Sequence, residues 1–127
     1  MPHPPTIAVV DDEDDVRRGL QRLLHASGMD VRTYDSDGFM AEIDDIDCVI
    51  LDLHMPGVGG FEIQEAMNAR GMTVPVIVLT GNDSPANRAR SLANGAGAYL
   101  CKPVDDDVLL RTIRRLLDDR PPKVARG

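Results

Sequence analysis

The chain has 127 residues, 43% of them hydrophobic and 28% charged, and its net charge at pH 7 is −7. This length and composition fit one soluble globular domain and exclude a disordered chain. The acidic excess also disfavours direct binding to nucleic acid, because phosphates require a basic surface.

The sequence shows no segment that would direct the chain to a membrane. No apolar run approaches the ~20 residues that span a bilayer, and the opening MPHPPT lacks the charged and apolar regions of a signal peptide. We therefore expect a cytoplasmic protein that does not contact the membrane.

Five short apolar segments are predicted to be β-strands. The clearest is VPVIVL at 74–79, whose β-branched residues are typical of a buried strand. The predicted strands cover residues 6–10, 30–34, 47–52, 74–79 and 97–101.

The segments between these strands show helical patterns. In the first, Val16, Leu20 and Leu23 recur at helical spacing, and the acidic run 11–15 suits the positive end of a helix dipole. The predicted helices lie between that acidic run and Gly28, at 36–43, from 61 to about 71, at 85–94 and at 105–118. This alternation predicts a parallel sheet covered on both faces by helices. We expect one folded domain at 6–118, with a flexible N-terminus at 1–5 and a disordered tail or linker remnant at 119–127.

Polar residues follow four of the predicted strands where each strand ends. Asp11 and Asp12 follow the first strand, Asp52 ends the third, Thr80 follows the fourth and Lys102 follows the fifth. Ligands of parallel α/β sheets bind beyond the carboxyl ends of the strands, so we expect these side chains to form one site.

The chemistry of these residues predicts a site for a divalent cation and a phosphoryl group. Three carboxylates at one edge repel one another unless a cation intervenes, and a few oxygen ligands favour Mg²⁺, with Mn²⁺ as a substitute. Asp52 could then attack a phosphoryl donor, while the metal and Lys102 neutralise charge and Thr80 donates a hydrogen bond.

The motifs VVDDE, LDLHMPG, LTG and YLCKPV, in this order and at these separations, resemble the receiver domain of bacterial two-component response regulators. The resemblance covers roughly residues 6–118. It implies a flavodoxin-like, doubly wound (βα)5 fold with the five parallel strands in the order 2-1-3-4-5.

The same resemblance implies roles for the residues at the metal site. Asp52 would be the phosphoacceptor, Asp12 a direct metal ligand, and Asp11 a ligand through water. The backbone carbonyl of His54 would complete the protein's share of the metal shell. The side chains of His54 and Asn82 occupy positions that influence how long the phosphoryl group survives.

The resemblance also implies residues that change conformation on phosphorylation and a surface that passes on the signal. Lys102 would contact the phosphoryl group, and the Lys102–Pro103 bond would be cis. Thr80 would move toward the phosphoryl group and Tyr99 would turn inward to fill the space left. The signal would be read on the face made by the fourth predicted helix, the fifth strand and the fifth predicted helix. The exposed arginines on this face are Arg88, Arg90, Arg111, Arg114 and Arg115.

These roles predict a signalling domain that catalyses its own phosphorylation and dephosphorylation but turns over no external substrate. Its expected partners are a histidine kinase or phosphotransfer protein, a downstream target or output domain, and a second copy in a phosphorylation-dependent dimer. Two alternatives stay open. One is a Mg²⁺-dependent phosphohydrolase with an aspartyl-phosphate intermediate, and the other is a receiver-like binding module that works without phosphorylation.

Cys48 and Cys101 are predicted to be two buried thiols. In the expected strand order they lie two strand spacings apart, roughly 10 Å, which is too far for a disulfide.

Overall fold

The computed structural model describes residues 4–35, 38–39, 45–55 and 59–119. The predicted helix at 36–43 lies outside these residues except for Gly38 and Phe39. The predicted tail at 119–127 lies outside them except for Asp119.

Within the described ranges the chain forms five strands and four helices. The strands are β1 (Thr6–Val10), β2 (Asp30–Tyr34), β3 (Cys48–Leu51), β4 (Val76–Thr80) and β5 (Ala98–Cys101). The helices are α1 (Asp14–Ala26), α2 (Gly60–Ala69), α3 (Pro85–Ala93) and α4 (Asp106–Asp118). The fourth and fifth predicted helices are therefore α3 and α4.

All four strand pairings are parallel, in the order β2-β1-β3-β4-β5. The structure confirms the predicted sheet and its strand order. β1 and β3 lie side by side, with Val10 opposite Leu51, so the residues that follow them leave the sheet at the same edge.

The alternation of side chains along each strand divides the core between the two faces of the sheet. Along β1, Ala8 and Val10 pack into one apolar cluster, whereas Ile7 and Val9 pack into the other. Because both faces are covered, β1, β3 and β4 are apolar at nearly every position, as a buried parallel sheet requires.

Polar side chains cap the N-termini of α3 and α4. Ser84 accepts a hydrogen bond from the backbone N–H of Asn87 at 3.0 Å, and Pro85 follows in the first turn of α3. Asp105 accepts from the backbone N–H of Asp107 at 2.8 Å at the start of α4. These side chains satisfy amide groups that the helix itself leaves without a partner.

The structure corrects one prediction about the cysteines. Cys48 is buried in the core, but Cys101 is exposed. β5 is an edge strand that buries Tyr99 and turns Cys101 outward at its end. Neither cysteine forms a disulfide, as expected.

In the part of the chain that is described, we find no helix with the length and hydrophobicity needed to cross a membrane.

Candidate functional site

Asp52 lies at the carboxyl end of β3, where it is 6% exposed. Its backbone N–H donates to the carbonyl of Val10 at 3.0 Å, which continues the pairing with β1 by one residue. One carboxylate oxygen, Oδ1, accepts from the backbone N–H of His54 at 3.3 Å. The sheet and the following turn therefore hold this carboxylate in place.

Asp11 is buried at the end of β1, with 3% of its surface exposed. Its Oδ1 accepts from the backbone N–H of Glu13 at 2.9 Å, and its Oδ2 accepts from the Nζ of Lys102 at 2.9 Å. Both carboxylate oxygens thus accept hydrogen bonds, one from the turn after β1 and one from Lys102, which follows β5.

Lys102 follows β5 and brings its ammonium group among three carboxylates. Its Nζ lies 2.9 Å from Asp11, 3.6 Å from Asp52 and 3.6 Å from Glu13. The Lys102–Pro103 peptide bond is cis, as the resemblance implied. Asp11, Asp52 and Lys102, which are far apart in the sequence, therefore converge at one edge of the sheet.

The charges in this cluster shift one another's proton affinities. Burial raises the pKa of Asp52, the neighbouring Asp11 raises it further, and Lys102 opposes both. Burial lowers the pKa of Lys102, but the hydrogen bond to Asp11 and the charges of Asp11, Asp52 and Glu13 outweigh burial and raise it. Lys102 consequently stays protonated and serves as the counter-ion of the cluster.

Oxygen atoms of Asp11, Glu13 and Asp52 all lie within 4.8 Å of one another, a spacing that would let them hold a metal ion. All are hard oxygen ligands, the kind that Mg²⁺ prefers. Two of these carboxylates are almost fully buried and share one lysine, so a divalent cation would relieve repulsion that Lys102 balances only in part. The residues present therefore fit a site for a divalent cation.

The members of this group differ from the predicted metal ligands. Asp12 lies outside the group; burial raises its pKa and the charge of Asp11 raises it further. Glu13 belongs to the group and was not singled out in the sequence, because within the run DDE it also suits the start of a helix. The turn between Asp11 and Glu13 directs Glu13 back toward Lys102.

Thr80 and Tyr99 lie on adjacent strands, β4 and β5. Thr80 is fully buried, and its Oγ1 accepts from the backbone N–H of Asn82 at 3.0 Å. Tyr99 is 7% exposed, and its hydroxyl donates to Oδ1 of Asp83 at 3.1 Å. Asp83 was not singled out in the sequence, where it is one polar residue in a loop.

The side chains of His54 and Asn82 are exposed. They flank the site, since His54 follows Asp52 by two residues and Asn82 follows Thr80 by two. Their backbone N–H groups bond the side chains of Asp52 and Thr80.

Gly60 brings the start of α2 against the backbone of the site. A Cβ atom built on Gly60 would lie 2.5 Å from the carbonyl oxygen of Asp52 and 2.8 Å from the Cα of Leu53. The N–H of Gly60 also donates to the carbonyl of Leu53 at 3.1 Å. No side chain fits between the helix and this turn without moving the backbone.

The fold and the cluster of Asp11, Asp52 and Lys102 at the carboxyl ends of the strands define a class of protein. Residues 7–114 match the family described as response regulator receiver domain, and the chain belongs to that family.

Curated relatives agree with the family match. The chain is 34% identical to the transcriptional regulatory protein FixJ of Azorhizobium caulinodans, with 92% of this chain and 57% of FixJ covered. It is 37% identical to the nitrate/nitrite response regulator protein NarP of Escherichia coli, with 85% of this chain and 53% of NarP covered. The chain thus spans about half the length of these relatives.

Solved structures show the same fold. A CheY-like receiver domain protein from Methanospirillum hungatei superposes with a TM-score of 0.83 at 28% identity, covering 91% of this chain and 95% of that one. A receiver domain protein from Clostridium thermocellum gives a TM-score of 0.81 at 30% identity, covering 90% and 94%.

Proposed function

We propose that the chain accepts a phosphoryl group on Asp52 and passes on the resulting change of conformation as a signal. The observation that carries this proposal is the position of the Lys102 ammonium, 2.9 Å from Asp11 and 3.6 Å from Asp52 at the open edge of the sheet. A buried carboxylate beside a fixed cation is suited to receive a group with several charged oxygens.

In the proposed reaction an oxygen of Asp52 attacks the phosphorus of a phosphohistidine on a histidine kinase or phosphotransfer protein. A phosphorus–oxygen bond forms as the phosphorus–nitrogen bond breaks, and its electron pair leaves with the imidazole, which takes up a proton. Lys102 offsets charge on the phosphoryl oxygens, and the N–H of His54 keeps Asp52 oriented.

Asp11, Glu13 and Asp52 are the residues that would hold Mg²⁺ or Mn²⁺, and we retain Asp12 and the carbonyl of His54 as further ligands. When bound, the metal would neutralise charge that builds up on the phosphoryl oxygens. Asp11 has a second part in this proposal, since it holds Lys102 at 2.9 Å. Asp11 would release Lys102 to the phosphoryl group when a metal ion binds the Asp11 carboxylate.

The switch pair proposed for this chain is Thr80 and Tyr99. Thr80 would turn its hydroxyl to the phosphoryl group, and Tyr99 would move inward.

Arg88 of α3 and Arg111, Arg114 and Arg115 of α4 would belong to the proposed output surface, which would contact a downstream target, an output domain or a second copy. Arg90, which was also predicted for this surface, lies instead toward α2, where its guanidinium pairs with Glu65 at 3.2 Å and lies 4.1 Å from the centre of the Phe61 ring. His54 and Asn82 would tune the lifetime of the phosphoryl group.

The proposal is tested by intact mass after incubation with Mg²⁺ and acetyl phosphate. We expect a gain of one phosphoryl group that Asp52→Asn abolishes and that the matched surface variant Asp118→Asn keeps. Steady release of phosphate from many different phosphorylated substrates would instead support the phosphohydrolase alternative. Absence of any phosphoryl gain in the wild type would favour the binding module.

A further inference from the structure

A cavity of about 140 Å³ lies between α2, the residues that follow α3 and the start of β4. Because the sheet is parallel, this is the end of the sheet opposite Asp52 and Lys102. Apolar side chains and carboxamide groups form most of its wall, among them Met67, Val74, Val76, Gln64, Asn68 and Asn94. Every residue that lines the cavity is uncharged. A molecule that binds there should therefore be neutral, since a charge would lose its hydration without gaining a counter-ion.

Two of these carboxamides have a polar atom without a hydrogen-bond partner. Gln64 is 2% exposed, and its Oε1 is buried and accepts no hydrogen bond from any residue that the structure describes. The Nδ2 of Asn94 is also buried, and it donates to no acceptor within the described ranges. Nearly all buried polar groups of folded proteins have a partner. A buried acceptor and a buried donor in the wall of one cavity therefore point to a bound group that pairs with both.

The wall is fixed by two hydrogen bonds between α2 and the C-terminal end of α3. The Nε2 of Gln64 donates to the carbonyl of Ser91 at 3.1 Å, and the Nδ2 of Asn68 donates to the carbonyl of Asn94 at 2.9 Å. Exchanging the nitrogen and oxygen of the Gln64 amide would set Oε1 against the Ser91 carbonyl, where neither atom can donate. The unpaired atom of Gln64 is therefore an acceptor.

We propose that this cavity binds a small uncharged molecule, about the size of a six-membered ring, that carries one hydrogen-bond donor and one acceptor, as a cyclic amide does. The N–H of the ligand donates to Oε1 of Gln64, and its carbonyl accepts from Nδ2 of Asn94. Both protein atoms are closed to water in the unliganded arrangement, so the two side-chain amides turn toward the ligand as it enters. Gln64 belongs to α2 and Asn94 follows α3, so the ligand connects the two helices.

The volume of the cavity and the character of its wall set the class of ligand. An apolar cavity of about 150 Å³ in another protein binds benzene, and this cavity is nearly as large. Met67, Val74 and Val76 provide apolar surface for a ring. A buried donor or acceptor without a partner carries the full cost of its lost hydration, so a ring with an amide edge should bind better than a purely apolar ring. Ordered water could supply the same two hydrogen bonds, and the test below separates water from a ligand.

The first measurement compares three molecules of similar size. The probe is δ-valerolactam, a six-membered cyclic amide; N-methyl-δ-valerolactam lacks the N–H donor, and benzene lacks both polar groups. Each is titrated into the full chain without Mg²⁺, and the NMR signals of the side-chain amides of Gln64 and Asn94 are followed. We expect saturable shifts with δ-valerolactam at a dissociation constant on the order of 1 mM. The two controls should bind more weakly, by about three- to tenfold for each hydrogen bond lost.

The second measurement asks whether the two unpaired atoms carry the binding. Asn94→Ala removes the unpaired donor but keeps the backbone carbonyl that Asn68 binds, so this variant should fold and bind δ-valerolactam about three- to tenfold more weakly. Gln64→Met removes the acceptor and should have a similar effect. If Gln64→Met fails to fold because it also loses the bond to Ser91, Asn94→Ala decides the question alone. Ser91→Ala is the matched control and should bind as the wild type does. The Ser91 hydroxyl is likewise buried and has no partner in the part of the chain that is described, but Ser91 does not line the cavity.

Three results would overturn the inference. The absence of any saturable shift with δ-valerolactam would mean that water alone occupies the cavity. Equal affinity for δ-valerolactam and benzene, or wild-type affinity in Asn94→Ala, would show that the unpaired atoms play no part. The inference does not rest on the proposed function, because binding is measured without metal or phosphoryl donor. A failure of Asp52 to accept a phosphoryl group would therefore leave it unaffected.

Discussion

At the scale of single residues, Asp52 explains how a carboxylate can end an apolar strand. Its environment is unfavourable for a charge, since burial and Asp11 both raise its pKa. It is tolerated because Lys102 lies 3.6 Å away and a backbone N–H bonds one oxygen. A residue whose charge is unfavourable for folding is therefore the one we propose for function, a combination that is common at active sites.

Asp52→Asn should raise the free energy of unfolding at pH 7 in the absence of divalent metal by roughly 1 kcal/mol, the usual size of a stabilising substitution. The folded-state pKa of Asp52 lies above its unfolded value, so the ionised carboxylate disfavours folding at neutral pH. As the pH falls through that folded-state pKa, Asp52 becomes neutral and the advantage of the variant should shrink.

Urea titrations of the wild type and Asp52→Asn at pH 7 and at lower pH measure this difference in the free energy of unfolding. The same titrations with Mg²⁺ test whether metal binding depends on Asp52. A ligand that binds only the folded state adds about 2.7 kcal/mol at one hundred times its dissociation constant, so Mg²⁺ should stabilise the wild type and have much less effect on Asp52→Asn. Asp118→Asn serves as the control. If Asp52→Asn were less stable than the wild type at pH 7 without metal, the electrostatic argument would be contradicted.

At the scale of elements, the site depends on how closely α2 approaches the turn after β3. Gly60 permits this approach, and its N–H bonds Leu53. The sequence placed the beginning of this helix at Phe61, whereas the structure begins it at Gly60. A glycine is a poor helix former, so propensity alone does not indicate that the first turn includes it.

Gly60→Ala should destabilise the domain by about 1–3 kcal/mol, because its Cβ would lie 2.5 Å from a backbone oxygen that cannot move freely. Gly19→Ala is the matched control. Gly19 lies within α1 with no atom within 4 Å of an added Cβ, so alanine there should stabilise by about 0.5–1 kcal/mol. Chemical denaturation of both variants measures the difference, and a Gly60→Ala variant as stable as wild type would refute the close contact.

At the scale of the whole molecule, the sheet order brings together residues that are far apart in the chain. β1 and β3 are neighbours although β2 lies between them in sequence, so Asp11 and Asp52 leave the sheet side by side. Lys102 follows β5, the outermost strand on that side of the sheet, and its long side chain reaches back to Asp11. Two apolar clusters, one on each face, support this arrangement.

Thiol labelling should report this architecture. Cys101 is exposed and should react with a maleimide on mixing, whereas Cys48 is buried in the core and should react slower by a factor of roughly 10³ or more, only when the domain opens. Cys101→Ser should retain only the slow reaction. Two fast thiols, or a disulfide in the native protein, would contradict the placement of β3 and β5.

The sequence by itself determined the parallel sheet, most element boundaries to within one or two residues, and the strand ends that carry Asp11, Asp52, Thr80 and Lys102. Continuous apolar runs in the strands and helical periodicity between them are local features that burial on both faces of the sheet requires. The polar residues at the strand ends are local features as well, because each directly follows or ends an apolar run. The four motifs likewise indicated the family and the cis Lys102–Pro103 bond. They did not indicate the contact between Lys102 and Asp11.

Only the tertiary structure decided which side chains come together at that edge. It placed Glu13 rather than Asp12 with Asp11 and Asp52, exposed Cys101 at the end of an edge strand, and joined Asp83 to Tyr99. The physical reason is that each of these outcomes depends on the direction of a side chain and on a partner distant in the sequence. A local pattern specifies which residues leave the sheet, but the packing of the whole chain specifies what they contact.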